Sequence, residues 1–515
     1  MTDSAYQAVT RFFDHLVWFA GMRCCTATVC SNKTLTSCYW LFDHYAYQSQ
    51  LKMECISVVL SSRLPTLITK TNICEVYMRQ SSYLYLVTSI GLLMANTVIA
   101  GEQTEPSGFI EDSHLNILLR NYYRHQTGDL GSQRDWVQGA MMNFTSGYTA
   151  GTIGIGFDAF AYGAVKLDGG SGRIGSPTVP FDSDGEPAHE YSRAGGSIKL
   201  KHSNTVLQVG ALKPQVPVFA IGNYYILDQT ANGWMISSDD IDKLSLTAGR
   251  FTSGTGFIST AHDGELGLAY AGVNTRSVTY AGGRYAYSDQ FSVSAYGSEY
   301  KDVMNQYYLN SNLILPLSTD KSLTFDFNLY RSLDSGAGKA GPINLTTASL
   351  SSALSAGAHT YTIGFQVNDG DQPQDYAAIG GTSPGVAAGK YSQGIYLANA
   401  AEISDFNAPN EKTVSLRYDL NGSAYGMDGW SMSVKQVFGR GIDGSKTSTK
   451  SAYFGLYGKD ETERETDAYL TYAVQSGSLR GLKTSLIQSW HSGAPSTGGD
   501  LMQTRLFFDY PLDLF

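Results

Sequence analysis

Leu323, Phe325, Phe327 and Leu329 fall on one face of an extended chain, and Thr324, Asp326, Asn328 and Tyr330 fall on the other. Successive strand side chains point to opposite sides, so a two-residue period writes one apolar and one polar surface into a single segment. A helix does not keep that pattern, because its faces return every 3.6 residues or about that. The stretch from Leu323 to Arg331 is nine residues long. A tilted strand needs roughly 9–11 residues to cross a bilayer. The same period returns in Leu244, Leu246 and Ala248 against Ser245, Thr247 and Gly249, and in Phe291, Val293 and Ala295 against Ser292, Ser294 and Tyr296. Leu482, Thr484, Leu486 and Trp490 alternate less cleanly with Lys483, Ser485 and Ser489. A soluble sandwich also alternates, with strands of about 5–6 residues.

What lies between and around these segments favours a membrane barrel. Gly-, Ser- and Asp-rich connections predict long loops at residues 169–190, 217–234, 332–347 and 370–390, with short turns such as 420–423. Alternating long loops and short turns, with aromatic residues at the segment ends, is the plan of an outer-membrane barrel. Tyr285, Tyr287, Tyr307 and Tyr308 are such flanking aromatics. At roughly 22–26 residues per strand with its loop, residues 101–515 predict about 16–18 strands. No run of about 18 apolar residues follows Ala100, so no transmembrane helix is expected there. The chain ends on Phe515 after Arg505, Leu506, Phe507 and Phe508. A last strand closing on an aromatic residue resembles the signal read by the barrel-assembly machinery of bacterial outer membranes.

Residues 78–100, MRQSSYLYLVTSIGLLMANTVIA, have the basic start, apolar centre and small-residue end of a secretory signal peptide. Its apolar centre, residues 83–93, is shorter than the roughly 20 residues of a spanning helix. A signal of this kind belongs at an N-terminus. Residues 1–77 therefore read as a spurious or non-native extension, with a cytoplasmic extension and membrane anchor as the alternative. All six cysteines precede Met78, which leaves the exported part without a disulfide framework or thiolate metal site. Seven of the 36 basic and five of the 46 acidic residues precede residue 101, leaving 29 and 41 and a net charge of −12. That field repels a polyanion, so no nucleic-acid partner is expected.

The chain also carries a series of recognisable words. They include residues 108–113 (GFIEDS), 118–123 (LLRNYY), 191–196 (YSRAGG), 307–312 (YYLNSN), 370–373 (GDQP), 404–407 (SDFN), 417–421 (RYDLN) and 509–512 (DYPL). With these in order over nearly all of 101–515, the sequence resembles the OprD family of outer-membrane porins. The resemblance does not reach residues 1–77. It implies an all-β, transmembrane antiparallel β-barrel of about 18 strands, narrowed by inward-folding loops at residues 217–234 and 370–405. It further implies passage of small carboxylate-bearing nutrients or basic amino acids past a ladder of Arg and Lys, opposed by acidic and tyrosine side chains. Spaced guanidinium groups can hand a carboxylate along a narrow pore through charge-assisted hydrogen bonds. Several weak sites serve better than one deep one.

Only part of that ladder is matched. Arg120 and Arg505 stand where the family places basic residues, and alternation with Leu506 and Phe508 puts Arg505 on the pore side. Thr471, Ser485 and Ile487 stand where the family pattern has Lys or Arg, and Tyr225 where it has Arg. Lys199 and Lys201 are further pore-side candidates, as are Arg124, Arg134, Arg250 and Lys483. On the opposing side Tyr270, Tyr376, Ser404 and Asp405 match, whereas Gln393, Ala400 and Ile403 do not.

Other motifs carry less. Gly385 to Lys390 lacks the Gly and the Ser/Thr of a P-loop and reads as a flexible loop. Asp182, Asp184 and Glu186 lack EF-hand spacing and read as a solvated acidic loop. No Gly-x-Ser-x-Gly stands in a strand–turn–helix context, although an outer-membrane barrel hydrolase or a structural, adhesive barrel remains an alternative. The sequence therefore predicts a Gram-negative outer-membrane porin without catalytic residues or cofactor. Its expected partners are small solutes, the bilayer and the assembly machinery. Arg120, Arg505, Tyr225, Tyr270, Tyr376, Ser404 and Asp405 are expected along the pathway.

Overall fold

The computed structural model describes residues 108–168, 178–181, 186–380 and 396–515. The expected extension at 1–77, the signal at 78–100, Asp182, Asp184, the Gly385–Lys390 word and Gln393 lie outside the described residues. Eighteen strands form one antiparallel sheet. The first six are β1 (His114–Gly128), β2 (Gln133–Thr145), β3 (Gly154–Lys166), β4 (Glu190–His202), β5 (Thr205–Leu212) and β6 (Thr230–Ile241). The next six are β7 (Leu244–Thr255), β8 (Val278–Ser288), β9 (Phe291–Tyr300), β10 (Met304–Ser318), β11 (Lys321–Asp334) and β12 (Asn344–Ala356). The last six are β13 (His359–Asp369), β14 (Lys412–Asn421), β15 (Trp430–Asp443), β16 (Lys459–Ala473), β17 (Lys483–Gly493) and β18 (Leu501–Asp513). Each pairs with its sequence neighbours, and β18 pairs with β1 from Leu501 opposite Gly128 to Asp513 opposite Asn116. The sheet thereby closes on itself. Among the described residues no helix is long and apolar enough to cross a membrane.

The two-residue period sorts the side chains as the sequence predicts. Along β11, Ser322, Asn328, Tyr330 and Ser332 are buried on the inside, while Leu323, Phe325, Phe327 and Leu329 alternate with them. Leu309, Leu350, Phe365, Leu416, Val434 and Phe508 stand exposed on the outer surface, the apolar band that lipid tails solvate. Two girdles of exposed aromatics flank that band. Tyr287, Tyr361, Tyr425 and Trp430 lie toward one rim, and Trp136, Trp234, Tyr307 and Trp490 toward the other. Tyr308 does not join its neighbour Tyr307 in the girdle. It points inward, and its hydroxyl donates to Asn328 Oδ1 at 2.6 Å.

Five two-residue links and both ends of the barrel share one rim, which the short-turn rule places at the periplasm. The longest connections leave the opposite, outer rim. Two expected loops give residues to the ladder. Ser332 to Asp334 and Asn344 to Thr347 extend the ladder between β11 and β12. Thr230 begins β6, opposite Thr255, so the first inward loop ends at Gln229. Gly422–Tyr425 form a 3-10 helix capped by the Asn421 side chain rather than a simple turn. In both ladder extensions small polar residues look like loop, yet backbone pairing at the rim still has partners to satisfy.

Charge on the two faces should have opposite consequences. Leu309→Lys is expected to weaken folding into lipid vesicles by about 2–4 kcal/mol, because it places an ammonium against the acyl chains. Asn312→Lys, on the inner face of the same strand and beside Asp326, should cost less than about 1 kcal/mol. Urea titration of vesicle-folded protein measures both.

Candidate functional site

The lumen holds folded chain. Val216, Val218, Phe219 and Ile221 from residues 213–229 pack with Leu266, Leu268, Tyr376, Ile379, Leu397 and Tyr453 from other outer-rim loops. This apolar core would be out of place in an aqueous channel without anchors to the polar wall, and two wall tyrosines supply them. Tyr300 Oη donates to Val218 O at 2.9 Å, and Tyr330 Oη donates to Pro217 O at 3.0 Å. The second half of the loop turns to the opposite wall. There Ile226 and Leu227 pack among Tyr122, Val137, Met141 and Phe160. Gly139 makes room for them, since a Cβ on it would come within 2.9 Å of Ile226 Cγ1.

A second layer comes from residues 256–277, 370–380 and 396–411. Leu266–Leu268 pair with Ala377–Ile379 and with Asn274–Thr275 in a small three-stranded sheet inside the barrel. This brings two tyrosines face to edge, Tyr270 and Tyr376, with ring centroids 5.9 Å apart. Both hydroxyls donate to Asp405 Oδ2, at 2.6 and 2.9 Å. Burial pushes the Asp405 carboxyl up from its ordinary range, against the two phenol donors that favour its ionised form. Gly364 on β13 lets the end of this loop lie on the wall. A Cβ there would stand 2.4 Å from Asn399 Oδ1.

Charged groups fix the loops to the seam where β1 meets β18. Arg120 lies directly opposite Asp509 in that register. Its Nε and Nη2 donate to the two carboxylate oxygens at 2.8 and 3.0 Å. Nη1 continues inward and donates to Tyr225 O at 2.7 Å and Asn223 O at 3.1 Å. Two pleat repeats further along, Arg505 stands opposite Arg124. Arg505 donates through Nη1 to Glu402 Oε2 at 2.8 Å and through Nη2 to Glu402 O at 2.9 Å. Its guanidinium carbon lies 6.0 Å from the Tyr225 ring centroid. Arg124 donates to two amide oxygens, Gln133 Oε1 at 3.0 Å and Gln126 Oε1 at 2.6 Å. Two like charges directly opposite each other repel, so these different acceptors are what hold the arginines in register.

The expected pathway residues thus fall into two linked groups, Arg120 with Arg505 and Tyr225, and Tyr270 with Tyr376 and Asp405. Ser404 directly precedes Asp405 in sequence. Its backbone N–H donates to Glu465 Oε2 at 2.9 Å, while that of Ile403 donates to Oε1 at 2.7 Å. Lys199 faces inward and is paired with Asp158 at 2.6 Å. Arg134 pairs with Asp168 from the outer side of β2, and Arg250 is exposed on the outer side of β7. Alternation excludes both from the lumen wall.

Several partners escaped the sequence reading. Lys435 Nζ donates to Ala400 O at 2.6 Å and Ala398 O at 3.2 Å. Arg193 donates to Ser259 O at 3.0 Å and also to Asp228 O. Glu402, Glu465 and Asp375 are likewise new. The signal for Glu465 was present in the run Glu461, Glu463, Glu465 and Asp467, which at strand spacing puts four carboxylates on one face. Glu402 and Asp375 had no periodic signal, because they belong to loops. Among the described residues no group of His, Cys, Asp and Glu is arranged to hold a metal ion.

Comparisons with known proteins match this architecture. A family model described as outer membrane porin, OprD family, matches residues 107–514. Porin D of Pseudomonas aeruginosa is 44% identical over 418 residues, covering 80% of this chain and 94% of that protein. A crystal structure of P. aeruginosa OprD superposes with a TM-score of 0.70 at 41% identity, covering 80% of this chain and 98% of that one. A P. aeruginosa OpdK structure with vanillate gives 0.69 at 28% identity, covering 79% of this chain and all of that one.

Arg120→Ala should release the first inward loop, since it strips Asp509 and two backbone carbonyls of their donor. Loosening by about 2 kcal/mol or more is expected. It would be read as faster proteolysis within residues 213–229 of the folded barrel and as noisier single-channel current. Arg120→Lys keeps the charge without the forked geometry and should fall between.

Proposed function

The chain belongs to the OprD family of outer-membrane porins, and from that membership we propose that its pore favours small solutes carrying a carboxylate and an amino group together. Small-solute passage across the outer membrane comes with the family. The choice of solute rests on one observation, the Arg505–Glu402 pair at 2.8 Å, where a cation of the wall meets an anion of the inward loop.

The chemistry of exchange supports that choice. A simple carboxylate that takes Arg505 leaves Glu402 without its cation. A neutral sugar that enters the pair replaces neither charge. A zwitterion replaces both, its carboxylate on Arg505 beneath Tyr225 and its ammonium on Glu402, where Tyr469 Oη already donates at 3.0 Å. No charge is then stranded in a low-dielectric setting, which is the costly outcome. Because each partner returns to the other afterwards, the site binds weakly enough to release. The vanillate of the OpdK structure is a carboxylate, which fits the Arg505 half of this arrangement. The exposed Phe515, whose carbonyl accepts from Leu115 N at 3.0 Å, supports a further role for the last strand in recognition by the assembly machinery.

Flux into proteoliposomes tests the reading. Arg505→Ala should lower passage of a carboxylate about tenfold relative to a neutral sugar, the loss expected for one charge-assisted hydrogen bond. Glu402→Gln should lower passage of a zwitterionic or basic amino acid more than that of a simple carboxylate. Equal effects of either change on all solutes would sink the proposal.

A further inference from the structure

We infer that Asp375 is the positioning residue that sets the aperture of the pore, by holding on one carboxylate the backbone of both tyrosines that grip Asp405. This rests on the porin reading and not on the proposed solute.

Asp375 is 1% exposed and stands where three outer-rim loops meet. Its Oδ1 accepts from Tyr270 N at 3.0 Å and from Tyr376 N at 2.8 Å. Its Oδ2 accepts from Ala271 N at 2.9 Å and from Tyr453 Oη at 3.0 Å. The first and third donors belong to the loop between β7 and β8, the second to the loop between β13 and β14, and the fourth to the loop between β15 and β16. The Asp375 carbonyl also accepts from Gln306 Nε2 of the β10 wall at 3.0 Å, which ties the junction to the barrel. Tyr270 and Tyr376 therefore have two fixed ends. Asp375 holds them at the backbone, and they hold Asp405 through their hydroxyls. Burial pushes the Asp375 carboxyl up to about 6, while the three N–H donors and the Tyr453 hydroxyl pull the other way. None of these contacts requires Asp375 to meet solute. Its influence passes through Tyr270 and Tyr376, and the small sheet at Ala377–Ile379 follows directly behind it.

An amide at this position presents one oxygen and one N–H₂ to four donors, so at least one donor loses its acceptor. The test is single-channel conductance of the full chain in planar bilayers, with assembly checked by heat-modifiable gel migration. Asp375→Asn should assemble as the native barrel does. Its mean conductance should rise about two-fold, with added current noise, as the population shifts toward loosened loops. In a Tyr270→Phe/Tyr376→Phe background the same change should add little, because both alterations act through one unit. Tyr453→Phe removes a single donor and leaves the carboxylate in place. It should raise conductance in the same direction by less, which keeps the question open to test should Asp375→Asn fail to assemble. Native or reduced conductance in Asp375→Asn, or full additivity with the tyrosine changes, overturns the inference. An unchanged Tyr453→Phe channel also counts against it.

Discussion

Lipid offers no hydrogen bonds, so each backbone N–H and C=O that meets it must find its partner within the protein. The pairing of β1 with β18 is the contact that satisfies this for the whole sheet, because it removes the two edges that would otherwise remain. It also determines chemistry. The register of that seam sets Arg120 opposite Asp509, Tyr122 opposite Phe507 and Arg124 opposite Arg505. A slip of either strand by one residue would turn that strand's side chains of these pairs toward the acyl chains. The same register stacks Tyr122 on Phe507 at 4.5 Å, a ring pair that helps to keep the two arginine layers apart.

Inside the barrel the usual logic of a core is inverted. Much of the wall is polar, and most of the apolar core of the lumen arrives on loops. Tyrosine resolves the mismatch, since it brings an apolar ring with a polar tip. Tyr300 and Tyr330 are fully buried, yet their hydroxyls reach loop carbonyls on residues 217 and 218. The loops are then ordered by charge. Arg120, Arg193 and Lys435 each donate to backbone carbonyls of inward segments, and Glu465 accepts from two backbone N–H groups. Basic groups that alone suggest an attractive ladder are here also the struts of the constriction. The proposed attraction of solute and the support of the loops draw on the same side chains.

How far the chain could be read in advance follows from this division. Alternation puts Arg505, Lys199 and Lys201 on the inner face, and the same rule puts Glu463, Glu465 and Asp467 there. It sends Arg134 and Arg250 outward for the same reason. The words shared with the family pointed to Tyr270, Tyr376 and Asp405, which come together although 135 positions separate Tyr270 from Asp405. Nothing periodic marks Asp375 or Glu402, which lie on loops and meet their partners only in the folded lumen. Boundaries were least legible at the outer rim, where Ser332 to Asp334 and Thr230 to Gly233 look like loop yet continue the ladder.

The sequence by itself determined the two-faced strands, the all-β membrane class and the inward direction of Arg505. Those properties follow from a period of two and need only local geometry. The tertiary structure alone decided which charges meet. Arg505 finds Glu402 across 103 positions, and Asp375 gathers donors from three loops. Such contacts arise when closure of the barrel brings distant rim segments into one lumen. No local pattern records that convergence, because the free energy that stabilises it belongs to the packed loops and not to any strand.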